Sequence, residues 1–292
     1  MTPAEFHSQR RFADTPSGRI AYIEQGSGPV ALFLHGVPLN GYHWRHVISA
    51  LRDIRRCIAI DLMSLGYTEI APSQPVSFTA QAEMLAQVLD ALGIDQIDLV
   101  ASDSGGAIAQ IFAVRNPRRL RTLTLTNCDA HDNWPPAMTL PMVEAARRGA
   151  LLAAYEELID DRTTRHARLA RAFADPQVLT DEVYRCYIEP LGSTPQRRAD
   201  FHRYWTSFDN QQTVAIEPLL RRLQVPTLIV WGLDDGFFPV RWAHWLRDTI
   251  PGAVDVVEVP DAKLFFAEDR PAALIAPLRG FLETRSRHLE VI

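Results

Sequence analysis

Six short apolar runs recur along the chain: VALFLHG (30–36), CIAIDL (57–62), IDLVAS (97–102), LRTLTLTN (120–127), VPTLIVWG (225–232) and VDVVEVP (254–260). Each has the length and residue types of a strand. The stretches between several of them carry helical periodicity instead, as in FTAQAEMLAQVLDALG (78–93), which Gly93 terminates. Strands that alternate with helices can pair side by side only through crossovers, so the pattern predicts a mostly parallel, twisted sheet flanked by helices. RRFAD and RIAYIEQG flank the turn residues Pro16, Ser17 and Gly18 and predict one hairpin before it.

Residues 131–218 interrupt this alternation. They are rich in Arg, Ala and Leu at helical spacing and poor in strand signals. The reading is a helical lid inserted between two sheet strands, with a core built from residues 1–130 and 219–292. A last amphipathic helix is expected through PAALIAPLRGFLETR (271–285), with SRHLEVI (286–292) as a frayed end.

A chain of 292 residues can bury a sizeable core. With 47% hydrophobic and 22% charged residues and a net charge of −5, it has the balance of a soluble globular protein, and nothing in it points to nucleic acid. No run approaches the roughly 18 apolar residues of a membrane span, and the first residues show no signal-peptide pattern. A cytoplasmic monomer or homodimer with a small-molecule substrate is expected. Cys57, Cys128 and Cys186 are widely separated and read as buried free thiols. No His, Cys or carboxylate cluster has metal-ligand spacing, so no metal or cofactor is expected.

The chemistry concentrates in ASDSGGAIAQ (101–110), where a strand, a turn of small residues and a helix can hold one side chain up as a nucleophile. With Asp103 in that role, the small residues two before, two after and three after are Ala101, Gly105 and Gly106. With Ser104 they are Ser102, Gly106 and Ala107. Both are sterically possible.

The element order and four local motifs, LFLHGVP, ASDSGG, IVWGLDDGFFP and VPDAKLFFAEDRP, resemble the α/β-hydrolase superfamily over nearly the whole chain. The superfamily's usual elbow ends in a Gly pair after one variable residue, which selects Asp103. An Asp there resembles the haloalkane dehalogenase and epoxide hydrolase branch, in which the carboxylate attacks carbon and a His-activated water cleaves the resulting ester. The resemblance implies an oxyanion hole from the backbone N–H groups of Val37 and Ser104. It implies Asp235 as the acid, with Asp234 as fallback and Asn127 standing where some relatives keep their acid. His35, a structural loop histidine in this reading, is grouped with Trp134, Trp205 and Phe238 at the substrate pocket.

The final loop departs from the pattern. Aligning Pro260, Glu268, Asp269 and Pro271 with the superfamily's motif puts Leu264 where the catalytic His belongs, and shifts of one or two residues give only Lys263, Phe265 or Phe266. His288 lies beyond the expected terminal helix. By topology the closest substitute is His131, whose other reading is a lid-hinge residue. Apolar surface at Leu264 and the like charge of Asp235 would raise the Asp103 pKa. The flanks also lack the Trp and Asn that release halide in dehalogenases, whereas lid tyrosines of the kind that protonate an opening epoxide are present at Tyr155, Tyr184, Tyr187 and Tyr204. Three readings stand: an Asp-nucleophile hydrolase of epoxides or alkyl halides, a lyase, isomerase or cyclase using Asp103 for proton transfer, and a catalytically impaired binding protein.

Overall fold

Val30–Leu34 (β3), Ile97–Asp103 (β5) and Thr227–Gly232 (β7) are buried at every position, as strands covered on both faces must be. The computed structural model, which describes residues 1–151, 167 and 169–289, joins them to β1 (Arg11–Thr15), β2 (Gly18–Gln25), β4 (Arg56–Ile60), β6 (Leu120–Cys128) and β8 (Ala253–Val259). The spatial order is β1-β2-β4-β3-β5-β6-β7-β8. The β1–β2 hairpin and the β2–β4 pair are antiparallel, and every later pairing is parallel.

The order reverses at β3, which lies between β4 and β5. Connections leave neighbouring strands in opposite directions at such a point, opening a crevice beyond their carboxyl ends. Register pairs Leu34 with Ala101, so the HGVP loop after β3 and the turn after β5 face each other there. This places two of the four motifs at one spot.

Helices α2 (Arg45–Leu51), α3 (Phe78–Ala91) and α4 (Ser104–Arg115) make the crossovers. In α3, Ser77 accepts a hydrogen bond from the Ala80 N–H as N-cap, and Gly93 follows the helix at φ 62°, a conformation that glycine adopts without Cβ strain. Two ends differ from the sequence reading. Pro3–Ser8 forms a helix (α1) that periodicity is too short to announce, closed by a capping box between Thr2 and Glu5. The last helix runs Pro271–Leu289, so it continues past the expected stop and contains position 288.

Between β6 and β7 the described residues form helices and no strand: Leu140–Arg147 (α5), Asp181–Gly192, Pro195–Thr206, Gln211–Val214 and Glu217–Leu220. Tyr155 lies outside the described residues. Hydrogen bonds fasten this insertion over the carboxyl end of the sheet. Asn40 Nδ2 donates to the Cys186 carbonyl at 2.8 Å, and Arg197 donates to the carbonyls of Thr68, Leu65 and Gly66. No described helix is long and apolar enough to cross a membrane. Cys57, Cys128 and Cys186 are free and buried.

Candidate active site

Asp103 ends β5 with φ 54° and ψ −135°, and Ser104 begins α4. Positive φ is uncommon for a residue with a Cβ and costs on the order of 1–3 kcal/mol, a strain that persists only where surrounding structure enforces it. Here the enforcement is visible in the glycines that follow. A Cβ on Gly105 would sit 2.4 Å from the His35 carbonyl oxygen, and one on Gly106 would sit 2.2 Å from Cys128 Cβ. The elbow residue is therefore Asp103, and the small residues two and three places later let α4 pack against the loops beside it.

The Asp103 side chain is 6% exposed. Its carboxyl is pushed up to about 8, first by burial and then by the charge of Asp235, against hydrogen bonds from the backbone N–H groups of Ser104 and Val37. Those two donors are the pair the superfamily resemblance implies. Asp103 Oδ2 has no hydrogen-bond partner and lies against Gly36, where an added Cβ would come within 2.2 Å. The glycine of the HG pair thus makes room for the carboxylate.

Asp235 is buried, with Oδ1 accepting from the Phe237 N–H and Oδ2 from Asn127 Nδ2, both at 2.8 Å. Burial raises its pKa to about 6 against these bonds. Asp234 is exposed at the surface. Asn127 also exchanges hydrogen bonds with the Gly232 backbone, at 2.7 Å and 3.0 Å, so it clips β6 to β7 where an acid could have stood.

Leu264 is buried at 4% exposure, and the following Phe265 N–H donates to the Ala172 carbonyl of the insertion. Among the described residues, no histidine is hydrogen-bonded to Asp103 or Asp235. His35 is fully buried with Nδ1 against the Gly36 carbonyl and Nε2 accepting from the Leu62 N–H, and burial lowers its pKa to about 4. Both ring nitrogens are thus engaged by backbone. His131, at φ 48°, pairs through Nε2 with Glu217 Oε2 at 2.9 Å and packs against Trp242 and Trp245. That partnership turns the ring toward the insertion, and no hydrogen bond joins it to Asp103. Phe238 serves through its backbone, accepting from Trp231 Nε1 and helping to hold Asp235. Trp134 stacks on Phe78 with ring centroids 4.0 Å apart, and Trp205 packs on Phe208 at 5.0 Å.

Two further groups stand at the elbow, one of the four candidate tyrosines and an aspartate that the sequence reading does not name. Tyr204, from the insertion, is fully buried and donates from its hydroxyl to Ser104 Oγ at 2.7 Å. Asp129, just after β6, is 1% exposed, and its backbone N–H reaches the Asp103 carbonyl at 3.4 Å. Burial and then the Asp103 charge push its pKa well above the ordinary carboxylate value. The signal for Asp129 was available, since a strand ending next to the elbow strand delivers its next residues to the same edge. A third buried group, His43, contacts Ser102 Oγ at 3.4 Å and Glu268 Oε1 at 3.5 Å. Glu268 also pairs with Arg45 at 2.5 Å and accepts from the Tyr187 hydroxyl, so His43 and Tyr187 belong to a buried network. Burial alone would raise the Glu268 pKa, but the hydrogen bond from His43 and the Arg45 charge outweigh it and hold it low.

A family described as alpha/beta hydrolase fold matches residues 29–271. Haloalkane dehalogenase 2 of Mycobacterium tuberculosis is 29% identical, over 94% of this chain and 96% of that protein. Epoxide hydrolase 3 of Siraitia grosvenorii is 28% identical, over 88% of this chain and 92% of its own length. Among solved structures, an alpha/beta hydrolase fold protein from Burkholderia ambifaria superposes with a TM-score of 0.80 at 26% identity, covering 92% of this chain and 96% of its own.

Proposed function

Because the chain belongs to the α/β-hydrolase fold family, we propose that it is an epoxide-opening hydrolase of a small organic molecule, with Asp103 as nucleophile and Tyr204 as the proton donor to the ring oxygen. The observation that carries this reading is the Tyr204 hydroxyl beside the elbow. Burial pushes its pKa well above the usual phenol value, with Asp103 and Asp129 adding to the rise, so it stays protonated and able to donate. An epoxide needs such a donor because its leaving oxygen departs as an alkoxide. In the first step the unpartnered Asp103 Oδ2 attacks a ring carbon, the C–O bond breaks toward oxygen, and Tyr204 protonates it. The product is a hydroxyalkyl ester on Asp103. In the second step water attacks the ester carbonyl, and the N–H groups of Val37 and Ser104 stabilise the oxyanion that forms.

The names of the dehalogenase and epoxide hydrolase relatives support carbon electrophiles as the substrate class. One observation favours alkyl halides as a second reading: the indole Nε1 groups of Trp134 and Trp205 are buried without hydrogen-bond partners, the condition in which an indole N–H can donate to a departing halide. A panel of aryl and alkyl epoxides and alkyl bromides separates the two, read by intact mass and product release. The expected result is diol formation that Asp103→Asn abolishes and Tyr204→Phe slows by about 10²-fold or more. Bromide release with no epoxide opening would favour the second reading. Epoxide turnover unchanged in Asp103→Asn would refute the nucleophile.

A further inference from the structure

An ester on Asp103 is a dead end unless some group takes a proton from water, and Leu264 stands where the superfamily keeps its imidazole. We propose that Asp129 is that group, and that Asp103 and Asp129 form a carboxyl dyad which carries one proton and replaces the catalytic histidine. This rests on the epoxide-opening reading above.

The geometry comes from the sheet. β5 and β6 pair in parallel through Ser102 and Thr126, and a register shift follows that sets Asp103 opposite Cys128. The chain continues directly to Asp129, whose N–H returns to the Asp103 carbonyl. Gln110 Nε2, from α4, donates to the Asp129 carbonyl at 2.8 Å and fixes the backbone there. Both side chains are more than nine-tenths buried, and each has an orphan oxygen, Oδ2 of Asp103 and Oδ1 of Asp129. A carboxylate oxygen buried without a donor costs about 1–3 kcal/mol or more. Two such atoms at the end of neighbouring strands, under a tyrosine from the insertion, mark a place kept open for reacting atoms rather than for packing.

The Asp103 charge disfavours a second charge on Asp129, so the pair holds a proton that a lone Asp would release. The titratable groups packed on it are Asp235 from the loop after β7, which raises Asp103, Cys128 from β6, and Tyr204 from the insertion. None of these supplies a positive charge.

The proton count closes over one cycle. In the reactive state, reached as Asp103 gives up its proton toward pH 8, Asp103 is ionised and Asp129 is protonated. Asp103 attacks the epoxide carbon, Tyr204 protonates the leaving oxygen, and Asp129 restores the proton to Tyr204. Asp103 is now a neutral ester, and Asp129 is a carboxylate with no charged neighbour at the end of β5. That carboxylate takes a proton from water as the hydroxide adds to the ester carbon. The tetrahedral oxyanion collapses, the Asp103–O bond to the product breaks, and the leaving alkoxide takes the proton back from Asp129. The diol departs, and the dyad again holds one proton, which returns from Asp103 to Asp129. No outside acid, base or oxidant is consumed.

The test uses the full chain with styrene oxide and the rest of the epoxide panel, comparing wild type, Asp103→Asn, Asp129→Asn and Asp129→Glu. In Asp129→Asn, ester hydrolysis is expected to fall by about 10²- to 10⁴-fold, so an adduct on Asp103 persists in the intact-mass spectrum. The acidic and alkaline limbs of the wild-type pH profile should both change, and Asp129→Glu should recover part of the rate. Asp129→Asn protein that is folded by circular dichroism and releases diol at the wild-type rate would overturn the proposal.

A second readout is independent of substrate. Carbon-13 carboxyl shifts of Asp129 are followed against pH in wild type and Asp103→Asn. A fall in the Asp129 pKa on removing the Asp103 charge supports the dyad, whereas an unchanged titration overturns it. If no epoxide reacts with wild type but the titrations are linked, the epoxide reading fails and the shared proton stands.

Discussion

Replacing Asp103 by Asn should change how stability depends on pH, and both the sign and the size follow from the burial of the elbow. Asp103 has an ordinary value of 3.8 and is pushed up to about 8 in the folded chain. Between those values the unfolded chain has lost the proton and the folded chain keeps it. Stability is then fully present below pH 4 and falls as pH rises, by about 1.4 kcal/mol per pH unit for each proton retained. Over pH 5 to 7 one proton amounts to roughly 3 kcal/mol, a large share of the 5–15 kcal/mol typical of a domain. Asparagine has the same shape, can accept from the Val37 and Ser104 N–H groups, and does not titrate. Asp103→Asn should therefore match wild type near pH 4 and exceed it increasingly toward pH 8. Asp129 still titrates in the variant, with a lower pKa once its neighbour is neutral, so the variant's own curve should remain shallowly sloped. Urea denaturation at half-unit steps from pH 4.5 to 8 measures both curves. Parallel curves, or a wild-type stability that rises with pH, would mean that Asp103 ionises normally and would remove the physical basis of the dyad.

Two further outcomes are expected. Placing the superfamily's imidazole back with Leu264→His in the Asp129→Asn background should restore ester hydrolysis by about 10²-fold or more, since Asp235 is already held beside that loop, and a persistent adduct in the double variant would count against it. Gly106→Ala should unfold the protein or lower its Tm sharply, because the new methyl meets Cys128 Cβ at 2.2 Å, whereas Gly280→Ala, with open space around it in the last helix, should stabilise by about 1 kcal/mol; thermal melts that rank the two the other way would contradict the packing at the elbow.

The parallel sheet was legible because buried strands and amphipathic helices leave different periods in a sequence, and each of the six apolar runs overlaps one observed strand along most of its length. Asp103 was legible for a steric reason: only one register of the elbow puts glycine at both places where a Cβ would strike a neighbouring loop or strand. What could not be read was direction. His131 sits one strand away from the elbow in chain order, but its ring turns to Glu217 on the insertion, a partner 86 residues later. Tyr204 was one of four candidate tyrosines, and only packing separates it from Tyr187, whose hydroxyl goes to Glu268. Asp129 lies within NCDAHDN, where a carboxylate resembles a turn signal until the β5–β6 register sets its backbone beside Asp103.

The hydrogen bonds of Asp235 give it a structural task that needs no histidine. In a triad the acid's second oxygen would face the imidazole. Here both oxygens are taken, one by the Phe237 N–H and one by Asn127, while Asn127 in turn holds the Gly232 backbone. Asp235 therefore ties the end of β6 to the loop after β7, and β6 is the strand that delivers Asp129. Removing Asp235 would withdraw a negative charge that raises the Asp103 pKa. Asp235→Asn deletes the charge but sets an amide NH2 against one of the two donors, so it also loses a hydrogen bond, whereas the Asn127–Gly232 bonds that clip β6 to β7 remain in either variant. Asp235→Asn and Asp235→Ala should therefore both lower the Asp103 pKa. On these bonds Asp235 has a structural task, holding the end of β6 and the loop after β7 together.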